Sequence, residues 1–516
     1  MKNIAIILLF VFLIGCETRK PNESAMPSQE VAVPVFEAPS SFDKLAETQP
    51  IIDKIYKDYA DRNHFPSIVY GVVANGKLVY TGSHGYANIE SEIEASSKSV
   101  YRIASMSKSF TSMAILKLRD EGKLNITDPV SKYVPEFRNA GALTTDAPAI
   151  TIQDLMTMSA GFPEDNPWGD RQLDDPDEEL LEFLKQGLSF SNVPGVTFEY
   201  SNLGYALLGR IITNVSGKPY QEYIIESILN PLGMLDSRFE FEEVPAALLA
   251  RGYLWGRDQW TAEPILNDGA YGAMGGMLCS MEDFAKYVVL HLEAWPPRND
   301  EETGPVRRSS IREMHQPWRF NTIFTDAKDQ QGKLCPSAVG YGYGLGWRKD
   351  CTGKVRISHS GGLPGYGSEW RIYPEYGIGV VSFSNERYGA PSGANAIVLD
   401  TLISLAGLQP RVLPASEFLQ QRKEQIVEFL STFKEDGFLF AENFYLDESL
   451  ESRRDAIEPL LAEAGEVMRV NPLRSFNQLR GHFIIECENK NVNIFFTLTP
   501  EKVPMVQQLD VWLSDK

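Results

Sequence analysis

Tyr101-Arg102-Ile103-Ala104-Ser105-Met106-Ser107-Lys108 leads straight into Ser109-Phe110-Thr111-Ser112-Met113-Ala114-Ile115-Leu116-Lys117-Leu118. A short apolar stretch, residues 101–104, gives way to Phe110, Met113, Ala114, Leu116 and Leu118 at helical spacing, which predicts a helix opening at Ser105 with one face in a core. Residues three apart on a helix are neighbours, so the Lys108 amine can reach the Ser105 hydroxyl. The helix start also offers unpaired backbone N–H groups and a positive dipole end, both suited to an oxyanion beside Ser105. A serine hydroxyl is a poor nucleophile until a base removes its proton, and a lysine kept neutral by burial could serve.

The flanking patterns predict an antiparallel sheet built from both ends of one domain. Residues 67–73 and 77–83 surround Asn75-Gly76, a strong signal for a two-residue hairpin. Strand-like segments recur far downstream at 355–358, 368–373 and 378–384, followed by a helical pattern over 392–406. Between the two strand clusters the periodicity is mainly helical, at 110–118, 152–158, 203–216 and 281–291, as expected of an all-α lobe inserted into the sheet domain. Residues 164–182 hold nine acids against one arginine, a run that predicts a solvated loop or helix face or, alternatively, a role in substrate selection. From about Pro414 the pattern restarts, with helices over 417–430 and 450–467 and three strand-like segments. One of these alternates Val492, Ile494, Phe496 and Leu498, which predicts a small C-terminal α+β domain.

The chain has 516 residues, enough for two to four domains at roughly 100 to 200 residues each. Its 69 acids against 49 bases give a formal charge of −20, which disfavours binding to nucleic-acid phosphates or anionic membrane surfaces. At the N-terminus, Lys2 precedes an apolar run over residues 4–14, too short to span a bilayer but suited to a secretory signal. The predicted organisation is a signal peptide over 1–15, a Pro-rich tether over 16–40, a main domain over 41–407, and a linker with the C-terminal domain over 408–516. Cys335 and Cys351 bracket a Gly- and aromatic-rich stretch that turns back on itself, which suits a disulfide, although free buried thiols fit equally. Cys279 and Cys487 complete the set in the body of the chain.

No GxSxG, HExxH or GxGxxG motif is present. Ser-x-x-Lys occurs at Ser41/Lys44, Ser105/Lys108 and Ser431/Lys434, and only the middle copy opens a helix with an apolar face. Tyr200-Ser201-Asn202 follows just before an apolar helix, whereas the similar Tyr86-Ala87-Asn88 lies at the end of the first hairpin and reads as structural. His359-Ser360-Gly361-Gly362 ends the strand predicted at 355–358.

Ser-x-x-Lys, Tyr-x-Asn and His-x-Gly in this order resemble the penicillin-recognising serine hydrolases, in the branch of class C β-lactamases, D-aminopeptidases, D,D-peptidases and related esterases. The resemblance spans about residues 45–407 and extends to the sequences at 101–104, 155–161, 275–277 and 343–347. It implies an α/β (α+β) β-lactamase-like fold, with Ser105 as the acylated nucleophile, Lys108 as its activating partner and Tyr200 as a general base whose phenol is acidified by the neighbouring cation. Asn202, His359, Ser360, Gly361 and Gly362 would line the substrate site, with the N–H groups of Ser105 and Gly362 as the oxyanion hole. No metal or organic cofactor is implied. Leu13-Ile14-Gly15-Cys16 similarly resembles a bacterial lipobox, implying lipidation of Cys16 and anchorage in the envelope, with Glu17 pointing to the outer membrane.

One departure bears on substrate. Many β-lactamases carry Lys-Thr-Gly at the third element, whereas His359 has a reference pKa of about 6.5 and would be mostly neutral at pH 7, depriving a β-lactam carboxylate of its partner. Esters, amides or D-residue peptides are therefore the expected substrates. The alternatives are a D,D-carboxypeptidase or weak β-lactamase, and a catalytically silent envelope binding protein.

Overall fold

Asn75 and Gly76 both adopt left-handed backbone, with φ of 49° and 73°. Such a two-residue turn matches the right-handed twist of the strands it joins, so β1 (Ser67–Ala74) and β2 (Lys77–Asn88) form the expected hairpin. Every residue of β1 is buried, because it lies inside a sheet covered on both faces. The computed structural model describes residues 42–516 apart from 167, 330, 412, 413, 435 and 436. The signal segment, Cys16, the tether and Ser41 lie outside the described residues.

The remaining strands of this sheet are β3 (Ile93–Glu94), β4 (Arg319–Phe324), β5 (Ser337–Tyr341), β6 (Gly346–Lys349), β7 (Val355–Leu363), β8 (Tyr366–Tyr373) and β9 (Ile378–Ser384). Their order is β3-β2-β1-β9-β8-β7-β6-β5-β4, with antiparallel pairing throughout. The first hairpin thus joins the downstream strands through β1 and β9, where Ile68 pairs with Ser384 and Ala74 with Ile378. The sheet is antiparallel and flanked by helices, as the resemblance implied. The segment inserted between β3 and β4 is mainly helical but not all-α, because Val100–Arg102 pairs with Leu278–Ser280 and Tyr253–Gly256 with Gln259–Ala262 in two small antiparallel ribbons too short to show in the helical periodicity.

Helix α1 (Gln49–Arg62) and the helix Ser392–Ala406 pack on the sheet around Ile52, Tyr56, Val398, Leu399 and Leu402. A buried polar network ties them down. Tyr56 donates to Asn395 Oδ1 at 2.6 Å, Asn395 Nδ2 donates to the Glu369 carbonyl at 2.9 Å, and Glu369 pairs with Arg371 at 2.8 Å. Buried charge of this kind is tolerated only when its hydrogen bonds are met, as they are here.

Around the predicted motifs, two backbone features differ from the sequence expectation. Strand β7 continues to Leu363, so His359-Ser360-Gly361-Gly362 lies within the strand and not beyond its end. The two glycines do not break it, because Gly361 pairs with Ser368 and Gly362 with Gly367. A Cβ on Gly361 would stand 2.4 Å from the Ile103 carbonyl, so only glycine lets this strand approach the Ser105 segment. The second is that the helix does not open at Ser105: residues Ala104–Met106 form a single 3-10 turn and α2 proper spans Ser107–Asp120.

Cys335 and Cys351 form a disulfide across the open end of the β5–β6 hairpin. Closing a loop of this length restricts the unfolded chain, so Cys335→Ser with Cys351→Ser is expected to lower stability by about 3 kcal/mol. An unchanged denaturant midpoint in the double variant would show that strand pairing alone fixes this edge. Cys279 and Cys487 are free and buried.

The described residues fall into two compact units divided at 412/413. In the second, helices Glu417–Thr432 and Leu450–Ala464 accompany a five-stranded antiparallel sheet, with Val492, Ile494, Phe496 and Leu498 all buried. This sheet has five strands where three were expected. Strands Val467–Val470 and Arg474–Asn477 are short and largely exposed, and Val467, expected to end the helix 450–467, instead opens the first of them, because the helix stops at Ala464 before Gly465. No helix among the described residues is long and apolar enough to cross a membrane.

Candidate active site

Ala104 has a φ of 50°, a left-handed conformation that costs a non-glycine residue on the order of 1 kcal/mol or more. It is held by its neighbours. The Ile103 N–H donates to the Met277 carbonyl at 3.0 Å, and the Ile103 carbonyl accepts from Ser368 Oγ at 2.7 Å. This kink turns the chain from the strand Val100–Arg102 into α2 and leaves Ser105 partly exposed while residues on either side are buried.

All of α2 from Ser107 to Leu116 is buried, wider than the single apolar face expected. Its hydroxyls are satisfied internally, not by water. Ser107 Oγ donates to the Ala104 carbonyl at 2.7 Å and accepts from the Met277 N–H at 3.2 Å; Thr111 Oγ1 donates to the Ala273 carbonyl at 2.7 Å. These bonds fix the segment 273–277 against the helix and aim the Met274 carbonyl at Lys108.

Lys108 is fully buried. Its Nζ donates to Ser105 Oγ at 3.1 Å, Asn202 Oδ1 at 2.8 Å and the Met274 carbonyl at 2.7 Å. Burial pushes its pKa down to about 7, against the pull of the Asp165 and Asp170 carboxylates. Near neutral pH a large fraction is therefore an unprotonated amine in contact with the serine hydroxyl.

Tyr200 and Asn202 flank the start of the helix Asn202–Ser216, whose N-cap is Ser201. The Tyr200 ring centroid is 5.0 Å from Lys108 Nζ, and its hydroxyl hydrogen-bonds the Ser105 side chain. Its pKa is raised by burial, the reverse of the acidified phenol expected. The physical reason is that the ring is itself buried, which disfavours a phenolate, and the Asp165 and Asp170 carboxylates nearby disfavour it further. Tyr200 is a phenol here, able to relay a proton, while Lys108 is the group poised as base.

His359 is uncharged at neutral pH, as the reference value suggested. Burial and then the nearby Lys108 push its pKa down to about 3. Its Nδ1 lies 2.6 Å from the Ser360 carbonyl, an acceptor only, so Nδ1 carries the proton and Nε2, 3.0 Å from Tyr341 Oη, accepts from that hydroxyl. Ser105, Tyr200, His359, Ser360, Gly361 and Gly362, with Asn166 and Tyr388, line one cleft of about 380 Å³. Asn202 sits beneath it, on Lys108. The alternative Ser-x-x-Lys at Ser431 lies in the other unit, where, among the described residues, its hydroxyl makes a local bond to the Glu428 carbonyl.

Asp165 was not singled out from the sequence. Its carboxylate accepts from Ser201 Oγ at 2.9 Å, from the Leu203 N–H at 3.0 Å and from the Asn202 N–H, capping the helix that delivers Asn202 to Lys108. Asp170 likewise turns inward, accepting from Tyr388 Oη at 3.0 Å, and burial pushes its pKa up to about 6. The acidic run is thus not uniformly solvated. Removing the cap by Asp165→Ala is expected to lower stability by about 2 kcal/mol, since it strands buried N–H groups. A loss below about 0.5 kcal/mol in chemical denaturation would show that water replaces the carboxylate.

A serine at a strained helix start, set between a helical lobe and the inner strand of an antiparallel sheet, is the arrangement of penicillin-recognising serine hydrolases. The chain belongs to the Beta-lactamase family, whose model matches residues 52–404. Among curated relatives, "Protein flp" of Staphylococcus aureus (strain N315) is 31% identical over 350 residues, covering 66% of this chain and 63% of that protein. This chain thus spans less than two thirds of that relative's length. "Beta-lactamase-like protein 2" of Dictyostelium discoideum is 31% identical over 389 residues, 71% of this chain and 67% of the other. Among solved structures, an octameric penicillin-binding protein homologue from Pyrococcus abyssi matches with a TM-score of 0.58 at 23% identity, covering 90% of this chain and 98% of that one. A class C beta-lactamase matches at a TM-score of 0.55 and 18% identity, covering 69% and 96%. At these identities the solved structures speak to the fold alone.

Proposed function

We propose that the protein hydrolyses esters, or amides of D-residues, through an acyl-enzyme on Ser105. The observation that carries this reading is the buried Lys108 amine within hydrogen-bonding distance of the serine hydroxyl. In the first half-reaction Ser105 Oγ attacks the substrate carbonyl carbon and its proton passes to Lys108 Nζ. The N–H groups of Ser105 and Gly362, both at the cleft, would receive the oxyanion, and such donors are worth roughly 3 to 4 kcal/mol each. Collapse expels the alcohol or amine, which takes a proton from Lys108 with Tyr200 Oη as relay. Water then attacks the ester on Ser105 and reverses the proton path.

Neutral His359 argues against dependence on a cation at the third motif, and hence against efficient β-lactam turnover. We further propose that the enzyme is held in a bacterial envelope by lipid on Cys16, supported by the apolar run and the Cys that ends it. A panel of 4-nitrophenyl esters, D-Ala-D-Ala peptides and a chromogenic cephalosporin, run alongside fluorophosphonate labelling, tests the hydrolase reading. Ester turnover with labelled Ser105 supports it. Failure of labelling together with inertness to the whole panel would leave a binding protein.

A further inference from the structure

Beside the cleft lies a second cavity of about 400 Å³, lined by Trp168, Asp170, Arg171, Gln172, Arg387 and Tyr388. Tyr388 is the shared wall of the two. It is held at both ends: its N–H donates to the Leu363 carbonyl at 3.1 Å and its hydroxyl to Asp170 at 3.0 Å. Its φ of 50° is again left-handed, so the turn after β9 carries strain to place this ring against Gly362.

The two arginines of this cavity are under-used. Among the described residues neither guanidinium makes a hydrogen bond; Arg171 lies 3.8 Å and Arg387 3.5 Å from Glu263, and the Arg387 guanidinium also lies over the Tyr388 ring, 5.8 Å from its centroid. Glu263 Oε1 is itself left without a hydrogen bond. Two cations therefore share one carboxylate at distances too long for hydrogen bonding, while Asp170 is engaged by Tyr388. A guanidinium presents donors in a fork that fits a carboxylate, and free forks at a cavity wall are suited to an anionic guest. The main cleft offers no permanent cation of its own, since burial, and then the nearby Lys108, hold His359 neutral.

We propose that this side pocket binds a carboxylate carried by the substrate, with Arg171 and Arg387 as its contacts, so that the enzyme prefers esters or amides bearing an anionic arm. The inference rests on the acyl-enzyme reading for turnover but not for binding. The arm would pass Tyr388 while the reacting carbonyl sits at Ser105.

The test compares mono-4-nitrophenyl glutarate with its methyl ester, a neutral analogue. The wild type is expected to favour the acid in kcat/KM, and the acid-to-ester ratio to fall about tenfold for each of Arg171→Gln and Arg387→Gln, the worth of a charged hydrogen bond. Arg171→Lys and Arg387→Lys should retain part of the preference. A ratio unchanged in the double Gln variant overturns the proposal. Should neither compound turn over, calorimetry on the Ser105→Ala protein separates the two readings. Binding of the acid that weakens in the Gln variants upholds the pocket while the hydrolase reading fails. Binding of acid and methyl ester that is equal, or absent, removes the pocket.

Discussion

Ser105→Ala is expected to lower ester hydrolysis by about 10⁵-fold and to abolish covalent labelling, because in an acyl-enzyme mechanism no other group can carry the intermediate. The variant should fold normally. Ser105 Oγ contacts Lys108 and Tyr200, and Lys108 keeps Asn202 and the Met274 carbonyl when the hydroxyl is gone, so the stability change should stay within about 1 kcal/mol. That separation of activity from stability gives the measurement its force. Residual turnover from the oxyanion donors and binding should survive at a low level. Turnover at the wild-type rate by a variant of unchanged melting temperature would remove Ser105 from the mechanism, whatever the position of Lys108.

The same residues show why some of this architecture was legible in the chain and some was not. Asn75-Gly76 announces its hairpin because the turn conformation is a local requirement, met by two residue types. Segments 368–373 and 378–384 were legible because the first alternates Trp370 and Ile372 with polar residues, the second is rich in apolar β-formers, and Pro374 and Gly377 mark the turn between them. Strands β4 to β6 lie towards its other edge. In β4 four of six residues are exposed, so neither an apolar run nor a clean alternation marks it. Ser105, Lys108, Tyr200, Asn202 and His359 were found because each occupies a short motif with a fixed local role.

What completes the site is non-local. The Met274 carbonyl reaches Lys108 across 166 residues, and a backbone atom leaves no mark in a sequence. Asp165 caps Asn202 from 37 residues away, hidden within a run whose composition suggests solvent. The expectation of an acidic Tyr200 phenol failed for a related reason. It rested on the neighbouring cation, and only the fold shows that the ring is itself buried.

Lys108 also makes the second large prediction, in pH. Its pKa of about 7 lies below the 10.5 of a free lysine, so below pH 7 both native and unfolded chains hold the proton and the native state carries a buried charge. Between pH 7 and 10.5 the unfolded chain binds a proton that the native state lacks. The contribution of Lys108 to stability must therefore rise with pH across that window, by about 2 kcal/mol from pH 7 to pH 9. The difference in unfolding free energy between wild type and Lys108→Met, measured at the two pH values, isolates it. Activity should follow the same group. With a free amine required, kcat/KM rises with pH through a limb near pH 7, and Lys108→Met or Lys108→Arg loses about 10³-fold, within the range for removing a positioned base. Because the Asp170 carboxylate favours the charged amine, Asp170→Asn should carry the limb to lower pH, whereas a limb set by Tyr200 would require alkaline conditions. A limb unmoved by Asp170→Asn and persisting in Lys108→Met would transfer the role of base to another group in the cleft.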